Sequence, residues 1–201
     1  ENGTFREEIL PVEIRVKKET KVFDTDEHPR ETSLEKLGKL RPIVKSDGVV
    51  TAGNASGIND AAAAVILMSG SQAKEMGITP LARVIDYAVA GVDPDYMGIG
   101  PVAATRKLLE KQKMELSEIG LFELNEAFAT QAIACIRELG LDPEIVNVNG
   151  SGIALGHPIG ATGAVISVKL LYEMKRRKVR YGIASLCIGG GQGLSVLFES
   201  M

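Results

Sequence analysis

The sequence predicts an α/β fold, and three observations carry that prediction. The period of the apolar residues switches repeatedly between two and about 3.6 along the chain, as happens when strands alternate with helices. Short apolar runs such as LFEL and YGIASLCI are separated by amphipathic segments long enough for several helical turns, such as VAATRKLLEKQ and ATGAVISVKLLYEMKRR. Proline and glycine punctuate the joins between them. From residue 79 onward the elements read in the order βαβαβαββ, which makes one layered domain.

Taken in order, residues 9–16, ILPVEIRV, alternate as an exposed strand does. Residues 17–48 are polar and charged with little periodicity, and are expected to form a loop-rich excursion. The stretch VVTAGNASGINDAAAAVILMSG, from Val49, reads as a turn, a short helix after Ser56, and a buried strand through Val65, Ile66, Leu67 and Met68. A helix from Ser71 to Met76 follows. After Thr79 and Pro80, LARVIDYAVAGV is a strand and VAATRKLLEKQ a helix opened by Pro101, a residue that suits the first helical turn. IGLFELN is then a strand, and EAFATQAIACIRELG a helix closed by Gly140. IVNVNG reads as a further strand. The helix ATGAVISVKLLYEMKRR ends in the basic run Lys175-Arg176-Arg177-Lys178, where cations complement the helix C-terminus. YGIASLCIGGG and GLSVLFES are the last two strands, expected as a hairpin at the sheet edge.

Composition narrows the function. A chain of 201 residues, 45% of them apolar, can bury a sizeable core in one domain of ordinary size or in one domain plus an appendage. The formal charge is −3, aromatics make up only 4%, and no basic stripe alternates with rings, so nucleic acid is not an expected partner. The apolar windows AAAAVILM and GAVISVKLL are too short and too interrupted for a membrane-spanning helix, so no membrane partner is expected. Two cysteines make no disulfide framework and fit a reducing, cytoplasmic setting. The chain begins ENG, without Met or a signal-like segment, and is expected to be a fragment or a processed piece.

The chemistry concentrates at strand ends. In GSGIALGHPIGATGA, Pro158 disfavours helical backbone at His157 while Gly156 frees the other side, so the imidazole sits on a defined, non-helical turn just before a buried helix. Histidine suits general base work near neutral pH, either deprotonating a thiol or holding an oxyanion, though a turn histidine can equally bond locally. Cys187 closes a strand and precedes three glycines, which allow a substrate to approach and leave backbone N–H groups to donate. The bland alternative is a small buried hydrophobe. That alternative is the expected state of Cys135, which sits at helical spacing with Ile133, Ile136 and Leu139. Asn125 follows an apolar strand and is either a plain N-cap or an amide orienting a water or carbonyl at the sheet's C-terminal edge, where open α/β sheets place ligands. Ser56 carries the same ambiguity. His157, Asn125 and Cys187 all fall just after strands of one domain, so all three can face one edge.

Two rival chemistries fail on spacing. A dinucleotide site at GGGQG needs a following helix, a second parallel strand and an acid about 20 residues on, but 10 residues remain after Gly191. Zinc needs closely spaced Cys/His pairs, and His28, Cys135, His157 and Cys187 do not provide them.

Four stretches, TAGNASG at 51–57, NEAFA at 125–129, GHPIGATG at 156–163 and CIGGGQG at 187–193, resemble in order and spacing the C-terminal half of thiolases of the acetyl-CoA acetyltransferase type. The likeness extends over essentially the whole chain. It implies a five-layer αβαβα sandwich of two βαβαβαββ domains, of which residues 79–201 would be the C-terminal one. Residues 1–55 would end the CoA-binding loop domain, and residues 56–78 would supply the last helix and strand of the N-terminal domain. It implies Claisen condensation of two acetyl-CoA to acetoacetyl-CoA, and the reverse thiolysis, through a nucleophilic cysteine on an N-terminal half that this sequence does not include. His157 would activate that thiol and, with a water held by Asn125, bind a thioester oxygen. Cys187 would be the acid/base at the α-carbon, and Gly189 a backbone donor to the oxyanion hole. Ser56 and Ala52 would contact pantetheine, Phe128 would wall the acyl pocket, and Arg30 would meet the nucleotide end of CoA. Asn at 125 matches this type rather than the sterol-carrier type. The resemblance implies no cofactor beyond coenzyme A thioesters as substrates, and a dimer or tetramer. A thiolase of longer chain preference and a non-catalytic CoA-binding subunit are the alternatives. An enzyme condensing acyl carrier protein substrates would carry a second His or a Lys at the site.

Overall fold

Strand LFEL explains the layering. Its four residues are all buried, because both faces of the sheet are covered. The computed structural model describes residues 3–201, and its main sheet contains β3 (Ala82–Gly91), β4 (Leu121–Leu124), β5 (Tyr181–Ile188) and β6 (Gln192–Ser200) in the order β3-β6-β5-β4. Strand β4 runs parallel to β5, while β6 is antiparallel to both β5 and β3. The helices are α3 (Gly100–Gln112), α4 (Ala129–Leu139) and α6 (Thr162–Arg177). On one face Phe122, Leu124, Ile183 and Leu197 pack with Val102, Leu108 and Leu109 of α3 and Ala132 and Cys135 of α4. On the other, Leu121, Ala184 and Phe198 pack with Ile166, Leu170 and Met174 of α6. Alternate residues of each strand thus feed alternate cores, giving three layers.

The predicted helices form where expected. Pro101 stands in the first turn of α3, Gly140 closes α4 with φ +70°, and Lys175, Arg176 and Arg177 occupy the last turn of α6. The helix predicted from Ser71 to Met76 also forms, as α2 (Gly70–Glu75).

Five expectations need correction. The last hairpin is not at the edge: β6 is held between β5 and β3, and the edge strands are β3 and β4. IVNVNG does not form a ladder strand. It makes one parallel bridge, Phe122 to Val146. Beyond it the Asn147 side chain satisfies both backbone groups of Leu124, accepting from its N–H at 2.8 Å and donating to its carbonyl at 2.8 Å. A side-chain amide does there what a further strand would have done. The stretch 17–48 is not wholly irregular: β1 (Val12–Val16) and β2 (Glu19–Phe23) form an antiparallel hairpin, and α1 spans Leu34–Gly38. The turn has no Gly or Asn to announce it, because Lys17 itself takes the left-handed conformation at φ +58°. The helix after Ser56 and the strand 65–68 do not form. Residues 57–69 have no regular structure, and Ile66 and Leu67 are 86% and 76% exposed. A segment apolar on both faces needs neighbouring strands on either side to pair with, and among the described residues it pairs with none.

Candidate active site

Strand pairing brings the site residues together. Leu124 lies opposite Ser185 in the parallel β4–β5 pair, and the N–H of Asn125 donates to the Ser185 carbonyl at 2.9 Å. Asn125 therefore stands at the C-terminal end of β4. Cys187 lies two residues beyond Ser185 on the same face of β5, half-buried and opposite Gly193.

Asn125 is not an N-cap. Helix α4 starts at Ala129, with Phe128 as its cap residue. The Asn125 side chain is instead buried, its Nδ2 3.5 Å from Nε2 of His157 and its Oδ1 without a hydrogen-bond partner. A buried amide oxygen left free is costly in a folded core, and this one lies close against Gly152.

His157 follows the short helix α5 (Gly152–Leu155) and a Gly156 held at φ +97°, a conformation that favours glycine. Its Nδ1 is 2.7 Å from Thr162 Oγ1, and that hydroxyl donates to the Pro158 carbonyl at 2.8 Å. The hydroxyl has one proton and a carbonyl only accepts, so the imidazole must donate from Nδ1. That assignment leaves the lone pair on Nε2, facing Asn125. Burial pushes the His157 pKa below its ordinary value and the Cys187 thiol above its own, so both groups are neutral near pH 7. Cys135, by contrast, is fully buried with its thiol pushed up to about 11, donating to the Gly98 carbonyl, as expected of a core cysteine.

The TAGNASG segment is stitched through backbone to NEAFA and to GHPIGATG. Ser56 N–H donates to Ala127 O at 3.0 Å, Ala129 N–H to Asn54 O at 2.9 Å, and His157 N–H to Gly57 O at 2.9 Å. Ala55 forms an antiparallel bridge with Phe128. Ser56 and Phe128 therefore border the His157 and Asn125 cluster. Ala52 and Arg30 are exposed, and among the described residues no hydrogen bond joins either to His157, Asn125 or Cys187. The glycines after Cys187 divide in purpose. Side chains at Gly191 and Gly193 would collide with Val92 and Gly100, so these two permit close packing, whereas a Cβ at Gly189 would meet nothing within 4 Å.

Several supporting residues escaped the sequence reading. Glu126, next to Asn125, accepts from Asn147 Nδ2 at 2.9 Å and from the Ile153 N–H at 3.2 Å, tying the end of β4 to α5. Beneath it, Glu123 faces α6 and pairs with Lys169 at 3.0 Å, both being buried, and Lys169 also donates to the Gly150 carbonyl. Burial pushes Glu123 up to about 7, partly countered by Lys169. Thr162 was read only as part of a helix start. The one signal that could have found these residues was a charged residue inside an apolar strand, LFEL, which requires a partner on the helix covering that face.

The thiolase C-terminal domain model matches residues 78–200, and the thiolase N-terminal domain model matches residues 1–71. The chain is 56% identical to the acetyl-CoA acetyltransferase of Syntrophomonas wolfei, covering 100% of this chain and 51% of that protein. It is 54% identical to the beta-ketothiolase BktB of Cupriavidus necator, over 98% of this chain and 50% of that one. Among solved structures, the Bacillus anthracis acetyl-CoA acetyltransferase superposes with a TM-score of 0.96 at 54% identity, covering 99% of this chain and 51% of that one. Human mitochondrial 3-ketoacyl-CoA thiolase does so with a TM-score of 0.91 at 45% identity, over 99% and 51%. The chain thus spans about half the length of the curated relatives it matches. The motifs gathered near the C-terminal ends of β4 and β5 belong to a fold shared along nearly the whole chain, which is a member of the thiolase family.

Proposed function

We propose that the chain serves as the C-terminal half of an acetyl-CoA C-acetyltransferase, cleaving acetoacetyl-CoA with CoA and running the reverse condensation. The observation that carries this reading is the neutral His157, its Nε2 lone pair turned to the Asn125 amide 3.5 Å away, at the same sheet edge as a protonated Cys187. Residues 79–201 act as the C-terminal domain, residues 1–55 as the end of the CoA-binding loop domain, and residues 56–78 as the last part of the N-terminal domain. The nucleophilic cysteine comes from the N-terminal half, and the assembled protein is a dimer or tetramer of the cytoplasm.

In cleavage, the nucleophile's thiol proton passes to His157 Nε2 and the thiolate adds to the ketone carbonyl. The new Nε2–H, with a water on the Asn125 amide, helps hold thioester oxygen. The carbon–carbon bond breaks, its electron pair goes to the α-carbon, and Cys187 supplies the proton that completes acetyl-CoA. A thiol held protonated by burial is the form this step needs. The resulting Cys187 thiolate takes the proton of incoming CoA, whose sulfur attacks the acyl-enzyme, and the departing thiolate recovers its proton from His157. Gly189 N–H donates to the oxyanion over the acyl-enzyme, and Ser56, Ala52, Phe128 and Arg30 line the path of the CoA thioester.

Mass-spectrometric detection of acetyl loading in the full-length protein tests the reading. His157→Ala loses both loading and turnover, whereas Cys187→Ser still loads acetyl from acetyl-CoA while turnover falls by roughly 100-fold or more. Loading that survives His157→Ala but not Cys187→Ser reverses the roles and refutes the assignment.

A further inference from the structure

The chain's second histidine contacts the turn that carries the first. Nε2 of His28 lies 3.1 Å from the Ile153 carbonyl, and Nδ1 lies 3.5 Å from Asn59 Nδ2. A carbonyl only accepts, so Nε2 carries the proton and Nδ1 faces the amide as an acceptor. The ring lies against Gly57, where a Cβ would sit 2.3 Å from His28 Cε1. The Asn59 amide in turn lies against Gly156, where a Cβ would sit 2.2 Å from Asn59 Oδ1. Each of these contacts borders His157. Ile153 lies in the turn of helix before it, Gly156 precedes it directly, and Gly57 O accepts the His157 N–H at 2.9 Å. Ile153 is thereby held at both backbone groups, its N–H by Glu126 and its carbonyl by His28.

We infer that His28, with Asn59, is a positioning residue that braces residues 153–157 so that the His157 imidazole keeps its aim on the reacting thiol. The inference rests on the reading of His157 as the base. His28 itself touches no reacting atom. It belongs to the segment carrying Arg30, whose Nε donates to the His28 carbonyl at 3.3 Å, so the seating of that segment and the aim of His157 are mechanically joined.

The test compares His28→Ala, His28→Gln and Asn59→Ala in the full-length protein. An imidazole displaced by about 1 Å can lose on the order of 100-fold in rate. His28→Ala should therefore lower kcat by roughly ten- to hundredfold while KM for acyl-CoA changes little. The acid limb of the rate profile should also rise toward the ordinary histidine range, because a loosened turn admits water to His157. His28→Gln, whose amide can donate to Ile153 O and accept from Asn59, should restore most of kcat. A merely structural His28 would lower the melting temperature and leave kcat and the acid limb where they were, and that result overturns the inference. If His28→Ala does not fold, Asn59→Ala decides by the same two readouts. His157→Ala, measured alongside, separates the two ideas: full activity in that variant sinks the reading of His157 itself, whereas its loss together with an unaltered His28→Ala sinks only the brace.

Discussion

Thr162→Val isolates the tautomer of His157 with almost no change of shape. In the native turn the hydroxyl accepts from Nδ1 at 2.7 Å and donates to Pro158 O at 2.8 Å. Valine removes both bonds, yet Pro158 O keeps the Ala161 and Thr162 amides at 2.7 and 2.8 Å, so the loss falls on the imidazole. The ring then either leaves a partly buried N–H unsatisfied, at about 1–3 kcal/mol, or moves its proton to Nε2. A proton on Nε2 removes the lone pair that accepts from the thiol. If the competent tautomer becomes less favourable by that amount, its population falls by roughly ten- to hundredfold, at about 1.4 kcal/mol per decade. Acetyl loading of the full-length protein, followed by quenched-reaction mass spectrometry, should slow by that factor, with stability lowered by only about 1 kcal/mol. Thr162→Ser, which keeps the hydroxyl, should load at close to the parental rate. A valine variant as fast as the parent refutes the tautomer argument, and with it the role of Thr162.

Lys169→Met strands Glu123 in a buried site and should cost about 3–5 kcal/mol in urea titration near neutral pH. The Glu123 carboxyl is raised in the fold, and removing Lys169 raises it further. The variant should therefore come nearest the parent well below pH 7, where Glu123 is protonated in both folded proteins, and fall behind as pH rises through 7. A deficit independent of pH would show that Glu123 does not titrate with folding. The pH dependence of acetyl loading should be flat from pH 8 through 6.5 and decline below, since burial lowers the His157 pKa and the protonated ring cannot act as base. An acid limb above 6.5 contradicts that placement. Ser56→Leu should raise the Michaelis constant for acyl-CoA far more than it lowers stability, because Ser56 borders the site through its bond to Ala127 O. Unchanged kinetics with a loss of about 1 kcal/mol would leave Ser56 a purely structural serine.

The sequence by itself determined the α/β class, the helices α3, α4 and α6 with their proline, glycine and basic ends, and the edge where His157, Asn125 and Cys187 would meet. These features are local. Periodicity, capping and the punctuation around GHP and CIGGG act within a few residues, and the strand-end rule converts sequence position into place. What tertiary structure decided is everything that depends on which segment lies alongside which. The central place of β6 arises because β3, distant in sequence, pairs along its far side. Residues 65–68 form no strand because among the described residues no partner lies on either side, which the apolar text alone cannot reveal. Asn147 replaces a strand because its amide happens to reach both backbone groups of Leu124. Asn125 reads as either a cap or a ligand-facing amide until α4 is seen to begin four residues later. The tautomer of His157 is set by how the Thr162 hydroxyl spends its single proton, and the brace from His28 spans 125 positions to Ile153. Hydrogen bonds have directions and a reach of about 3 Å, so no spacing along the chain foretells them until the fold has brought their ends together.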